Sequence, residues 1–484
     1  MAGVRPLSRL IVVSNRVNPP GGKGEESVGG LAMALAAALR EYSGIWFGWS
    51  GKTTPAFTGQ LAMSRVDGVT VATVDLEESD YDEYYNGYAN RTLWPLFHYR
   101  VDLTAYDRTF DEGYQRVNRR FAETLRPLIE PDDLIWVHDY HLIPMARELR
   151  RLGVKNRIGF FLHIPWPAHQ LMVTLPSHRA LVAALFDYDL VGFQTPEYAA
   201  AFTEYVQTEA GGAAPGPGRL RAFGRTLQTD AFPIGIDAAD FAEMVNTERG
   251  QLTHARLVAH TVFRTLIAGV DRLDYSKGLE ERFAGFERFL ADNPDLRREV
   301  LMLQVAPVSR EAVDSYQDIR ARLDALSGRI NGEYADLDWN PLRCVNRTFR
   351  RDELAGLYRA AKVGLVTPLR DGMNLVAKEY VAAQDPADPG VLILSRFAGA
   401  AGQMAAALIV NPNSPEELSE ALKRALTMSR GERVERWRAL FDKVQSEDVG
   451  AWRDAFVSAL AGEGQASGGQ ASGGQAEVAG ALAS

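Results

Sequence analysis

With 484 residues, 46% of them hydrophobic and 24% charged, the chain is too long for one ordinary domain and has a soluble globular balance; two domains, each with its own core, are expected. A formal net charge of -9 argues against a general nucleic-acid or anionic-membrane surface while leaving room for local cationic pockets. The single cysteine, Cys344, excludes an internal disulfide framework and cysteine-cluster metal sites, and fits a reducing cytoplasm.

The first apolar run sits inside LIVVSNR, which is too short for a secretory signal and ends in Ser14, Asn15 and Arg16. Nowhere does the chain hold the ~18 uninterrupted apolar residues of a membrane span. Gly29 and Gly30 then open the helical run LAMALAAALR, where paired glycines and free N–H groups suit a diphosphate, although two glycines before a helix are more often only a flexible entry. Gly51-Lys52-Thr53 follows IWFGWS but has Trp46 where a phosphate loop needs glycine, so that motif is rejected. The stretch YDEYYNGYANRTLWPLFHYR is dense in aromatic rings, which serve packing by default and also suit the apolar faces of sugars.

Four first-half runs, LIVVSNR, DLIWVHD, RIGFFLH and LVGFQT, and five later ones, TLIAGVDR, VLMLQVAP, VGLVTPLRD, GVLILSRF and ALIVNP, are continuously apolar. That pattern fits strands buried on both faces, and helix-like spacers such as PEELSEALKRALTM separate them. Two doubly wound parallel-sheet α/β domains are predicted, with a seam at about residues 232–247. Ligands bind beyond the carboxyl ends of such strands. Those ends carry Arg16, Asp139, His163 and Gln194 in the first half, and Arg272, Arg310 and Asp371 in the second.

DRLDYSKG sets Arg272 and Lys277 just past a strand, where a guanidinium fork and a mobile ammonium can neutralise a departing diphosphate. LRDGMNLVAKE joins a strand end to a helix start: Asn374 is the expected N-cap, Asp371 precedes it, and Glu379 suits hydrogen bonding to ribose or sugar hydroxyls, the alternative being a structural cap with a solvated Glu. No G-x-G-x-x-G follows a strand, which weakens a nicotinamide oxidoreductase reading. The eight histidines show no H-E-x-x-H spacing, and no catalytic metal is expected. Past Leu460 the repeated GQASG composition predicts a disordered tail over residues 462–484.

Taken in order, VVSNR, VGGLA, WFGWSG, YDEYYN, LWPLFHYR, IWVHDYHL, FLHIPWP, DRLDYSKG, QVAPVSR and TPLRDGMNLVAKEYVAAQ resemble the trehalose-6-phosphate synthases over about residues 9–460. A departure lies in AGAAGQM, where members often carry an acidic residue in place of Gly402 or Gln403. The resemblance implies a GT-B fold. Residues 1–240 would form a Rossmann-like acceptor domain, 241–445 a Rossmann-like nucleotide-sugar domain, and 446–461 a helix returning to the first. It also implies glucose transfer from UDP-glucose to glucose-6-phosphate with retention, without a metal or other cofactor. By motif position, Arg16, Tyr85, Trp94, Asp139 and Arg310 would bind the acceptor. Gly29, Gly30, Arg272, Lys277, Phe349, Asp371, Leu375, Val376, Ala377, Lys378 and Glu379 would bind the donor, with Arg272, Lys277, His163 and Asp371 at the reacting centre. The partners expected are these two small molecules, with no nucleic acid or membrane; a homo-oligomer is compatible with the same features. Two other readings stay open: a synthase using another donor or acceptor, such as glycerol-3-phosphate, and a sugar-phosphate-sensing subunit without activity.

Overall fold

The computed structural model describes residues 9–17, 35, 39, 44–66, 68–261, 264–308 and 314–462. Gly29, Gly30, Arg310 and, beyond Gly462, the expected disordered tail lie outside them.

The first sheet is built from β1 (Leu10–Arg16), β2 (Ile45–Thr54), β3 (Ala62–Val66), β4 (Val69–Glu77), β5 (Leu134–His138), β6 (Ile158–Phe161), β7 (Leu190–Phe193), β8 (Ala213–Gly216), β9 (Arg219–Ala222) and β10 (Arg225–Ala231). Its order is β3-β4-β2-β1-β5-β6-β7-β10-β9-β8. The interior from β4 to β10 is parallel, and each edge is closed by antiparallel pairing. The second sheet contains β11 (Thr265–Val270), β12 (Val300–Val305), β13 (Leu342–Val345), β14 (Val363–Val366), β15 (Val391–Ser395) and β16 (Leu408–Val410) in the order β13-β12-β11-β14-β15-β16. All of its pairs are parallel. The nine runs read as buried strands are all strands here.

Why those runs are continuously apolar is visible along β1. Ile11 and Val13 enter one core cluster, while Leu10 and Val12 enter the other. Successive side chains point to opposite faces, so burial on both requires apolar residues at every position. The strand order reverses between β1 and β5, and between β11 and β14. Crevices open at such switch points beyond the carboxyl ends of the strands.

Six helices position the cleft: α1 (Pro196–Thr208), α2 (Ala238–Met244), α3 (Leu279–Asp292), α4 (Arg351–Ala360), α5 (Leu375–Ala383) and α6 (Val449–Ala461). α2 packs on α4 and α5 of the second unit, so the chain crosses from one unit to the other in residues 232–237. It returns before α6, where Phe456 stacks on Trp136 of β5 at 4.6 Å between centroids. Tyr81–Leu93 forms a wide, π-type helical run, a rare form, which carries Tyr81, Tyr84, Tyr85 and Tyr88 of the aromatic stretch. Among the described residues no helix is long and apolar enough to cross a membrane. The two facing Rossmann-like units are the GT-B architecture.

Candidate active site

At the mouth of the first sheet Arg16 ends β1, exposed, with its guanidinium 5.8 Å from the Trp49 ring centroid. Tyr85, half-buried, stacks on Tyr81 at 5.4 Å and on His141 at 5.9 Å. Asp139 follows β5 with φ 73°, a costly conformation for a residue with a Cβ. The turn is held because its Oδ1 accepts from the His163 N–H at 3.1 Å and its own N–H donates to the Phe161 carbonyl at 2.9 Å.

The second sheet answers with Arg272, Lys277 and Asp371. The Lys277 ammonium sits 2.5 Å from Asp371 Oδ2, and Asn374 Nδ2 donates to the same oxygen at 3.0 Å. Burial pushes the Asp371 carboxyl up, but Lys277 and these hydrogen bonds outweigh it and hold it below the usual carboxylate range. Asn374 caps α5 as its sequence position predicts: its Oδ1 accepts from the Ala377 N–H at 3.3 Å, with φ 76°. The remaining first-turn N–H groups of Leu375 and Val376 face outward from the positive end of the helix. Glu379 is half-buried, and burial raises its carboxyl against the opposing Arg351. Phe349 lies just before α4, half-buried beneath the Arg347 guanidinium at 4.5 Å.

The two sets meet. Arg272, exposed, lies 5.7 Å from the ring centroid of Trp94 of the first unit, and Trp94 Nε1 donates to Asp274 Oδ1 at 3.4 Å. Tyr198 of α1 donates its hydroxyl to the Asp371 carbonyl at 2.9 Å, and Arg370 pairs with Glu197 at 2.8 Å while covering Tyr99. A Cβ on Gly372 would lie 1.9 Å from the His163 carbonyl oxygen. Only glycine permits that approach.

His163 bonds through both ring nitrogens within its own unit: Nε2 to His138 Nδ1 at 3.0 Å, and Nδ1 to Gln194 Nε2 at 3.3 Å. Burial pushes it down to about 3, so it is a neutral ring near neutrality and not an imidazolium acid. Motif position puts Lys378 beside the donor. Its side chain leaves the cleft instead: it is 1% exposed and donates to the Ile234 carbonyl at 2.7 Å, so only its backbone belongs to the helix start.

Several supporting residues escape sequence reasoning. Asp274 accepts from Trp94, Ser276 and Tyr316, tying DRLDYSKG to the opposite unit. His98 packs on Trp94 at 4.1 Å and bonds its carbonyl through Nδ1 at 2.7 Å. Arg282, fully buried, joins three strand ends behind the cations. Among the described residues no group of three or more His, Cys, Asp or Glu is arranged to hold a metal.

The arrangement offers cations and a helix start for one anionic ligand and an aromatic, arginine-bearing wall for another. Asp371 is engaged by Lys277 and Asn374, unlike the two carboxyl groups flanking the scissile bond in a glycoside hydrolase. Residues 9–462 match the family model of Glycosyltransferase family 20. The chain is 50% identical to the trehalose-6-phosphate synthase of Sinorhizobium fredii, covering 94% of this chain and 98% of that one. A UDP-forming alpha,alpha-trehalose-phosphate synthase from Burkholderia xenovorans, solved with glucose-6-phosphate, superposes with TM-score 0.89 at 50% identity, covering 94% and 100%. A trehalose-6-phosphate synthase from Escherichia coli bound to UDP-2-fluoro glucose gives TM-score 0.90 at 46% identity, covering 94% and 99%.

Proposed function

Because the chain belongs to glycosyltransferase family 20, we propose that its cleft works as that of a UDP-forming trehalose-6-phosphate synthase. The enzyme transfers glucose from UDP-glucose to the anomeric hydroxyl of glucose-6-phosphate with retention, giving α,α-trehalose-6-phosphate and UDP. The observation that carries the division of labour is the meeting of Arg272 with Trp94 across the cleft, which sets the donor-side cations against the acceptor wall.

In this reading residues 1–240 supply the acceptor domain, 241–445 the donor domain, and 446–461 the returning helix. Arg16, Tyr85, Trp94, Asp139 and Arg310 hold glucose-6-phosphate. Gly29, Gly30, Arg272, Lys277 and the first turn of α5 surround the diphosphate, Glu379 takes the ribose, and Phe349 lies by the uracil. Asp371 and neutral His163 contact the transferred glucose. Arg272 and Lys277, rather than a metal ion, stabilise the charge that builds on the leaving phosphate. Retention follows from front-face substitution: the leaving phosphate oxygen accepts the acceptor's proton on the same side. No covalent glycosyl-enzyme intermediate is needed: Asp371, the carboxylate placed at the transferred glucose, is already held by Lys277 and Asn374.

Turnover is tested with a matrix of nucleotide-glucose donors and phosphorylated acceptors, read by nucleotide release. UDP-glucose with glucose-6-phosphate is expected to react and glycerol-3-phosphate to fail; the reverse would overturn the acceptor assignment. Gly372→Ala is expected to lower kcat/KM by about a hundredfold, the scale of an ångström-level misplacement across a closed site. UDP affinity should be nearly unchanged, since α5 and the cations lie on one side of the clash. Parallel losses in turnover and UDP binding would instead mean that the added methyl group deforms α5.

A further inference from the structure

The segment that crosses between the units is gripped from both sides at a single residue. Ile234 stands between Pro233 and Gly235, is 2% exposed, and donates its N–H to Gln194 Oε1 at 3.0 Å. Its carbonyl accepts from Lys378 Nζ, on the first turn of α5, at 2.7 Å. Gln194 and Lys378 are themselves buried, 1% exposed each. Both crossings run together here: a Cβ on Gly235 would lie 2.2 Å from the Glu447 carbonyl, and the Val449 N–H donates to the Ile236 carbonyl at 3.3 Å.

The grip has a chemical consequence at His163. A backbone N–H can only donate, so the Gln194 atom facing Ile234 is its carbonyl oxygen. The amide nitrogen of Gln194 therefore faces His163 Nδ1, 3.3 Å away, and Nδ1 must accept. A neutral imidazole that accepts at Nδ1 carries its proton on Nε2. That proton is donated to His138 Nδ1, at 3.0 Å.

We propose that Gln194 is a positioning residue that transmits the place of the interdomain crossing to His163, fixing it as the Nε2–H tautomer, and that Lys378 couples the same crossing to the donor helix. Closure of the donor unit and the orientation of the ring against the transferred sugar are thereby set by one peptide segment. Burial pushes the Lys378 amine down to about 8 against the opposing Glu447. The inference rests on the proposed placement of His163 at the donor sugar, but its first test does not depend on activity.

The full-length chain with 15N-labelled histidine, and His163→Asn to assign the signal, reads the tautomer by long-range proton–nitrogen correlation. At neutral pH His163 is expected with a protonated Nε2 and a bare Nδ1; a protonated Nδ1 in the unaltered protein overturns the proposal whatever the activity. Gln194→Leu is expected to mix the tautomers and to lower kcat about tenfold, the scale of coupling through an intermediary, with UDP affinity unchanged. Lys378→Met should lower kcat with unchanged UDP affinity as well, and Gln194→Leu/Lys378→Met should be no worse than the poorer single variant. Losses that multiply in the double variant would show two independent structural effects and overturn the coupling.

Discussion

Replacing Arg272 by alanine is expected to lower turnover by roughly 10²- to 10³-fold, the loss that follows removal of one preorganised donor to developing charge. The two cations proposed for the donor side are not equivalent. Lys277 is already held by Asp371 at 2.5 Å, so part of its field is spent on a carboxylate before any ligand arrives. Arg272 is exposed, makes no hydrogen bond or ion pair among the described residues, and rests on the Trp94 face at 5.7 Å. A desolvated aromatic face orients a guanidinium while leaving its N–H fork open to two phosphate oxygens. Arg272→Lys keeps the charge and loses the fork, and should fall between the natural enzyme and Arg272→Ala. Because the side chain is exposed, unfolding should shift by no more than about 0.5 kcal/mol. Steady-state UDP release, with thermal unfolding as the control, decides the matter. Near-normal turnover of Arg272→Ala would remove Arg272 from the reacting centre.

The cleft is legible in the sequence to the extent that strand ends are. Continuous apolar runs mark nine strands because both sheet faces are buried, and the polar residue after each run marks the crevice. Asn374 is legible as a cap because its residue type and its place before an apolar helix agree. The edges are not legible: Ala62–Val66 is almost wholly exposed, so β3 has no apolar signature, and it exists only because β4 offers it hydrogen bonds. Side-chain direction is a second blind spot. Lys378 shares the first turn of α5 with Leu375 and Val376, but the helix turns its ammonium to the Ile234 carbonyl, which only the packed helix reveals. His138 becomes relevant because β5 and β6 pair in register, His138 opposite Phe161, bringing it beside His163. In the sequence alone, its neighbour Asp139 draws the attention, for its carboxylate.

Arg282→Met is expected to destabilise the second unit by about 3–5 kcal/mol, the cost of leaving one partner of a buried ion pair uncompensated. Arg282 is fully buried on α3 and reaches the carboxyl ends of three adjacent strands: Asp271 after β11 at 2.7 Å, Gln304 of β12 at 2.8 Å and Thr367 after β14 at 2.9 Å. Burial pushes the Asp271 carboxyl up, with Arg282 and Lys277 opposing, so losing Arg282 leaves Asp271 to take up a proton or stay charged in an apolar site. These strands deliver Arg272 and Asp371, and the Lys277 carbonyl also lies 3.4 Å from Arg282 Nη2. The geometry of the cations proposed for the donor side therefore depends on a residue buried behind them. Arg282→Met/Asp271→Asn should recover part of the loss, because a neutral amide in place of the carboxylate removes the uncompensated charge. Urea unfolding, followed by a probe on the second unit since two domains need not unfold together, reads both variants. A loss below about 1 kcal/mol for Arg282→Met, the scale of an exposed pair, would mean that water reaches Asp271 and that the three strand ends hold without the guanidinium.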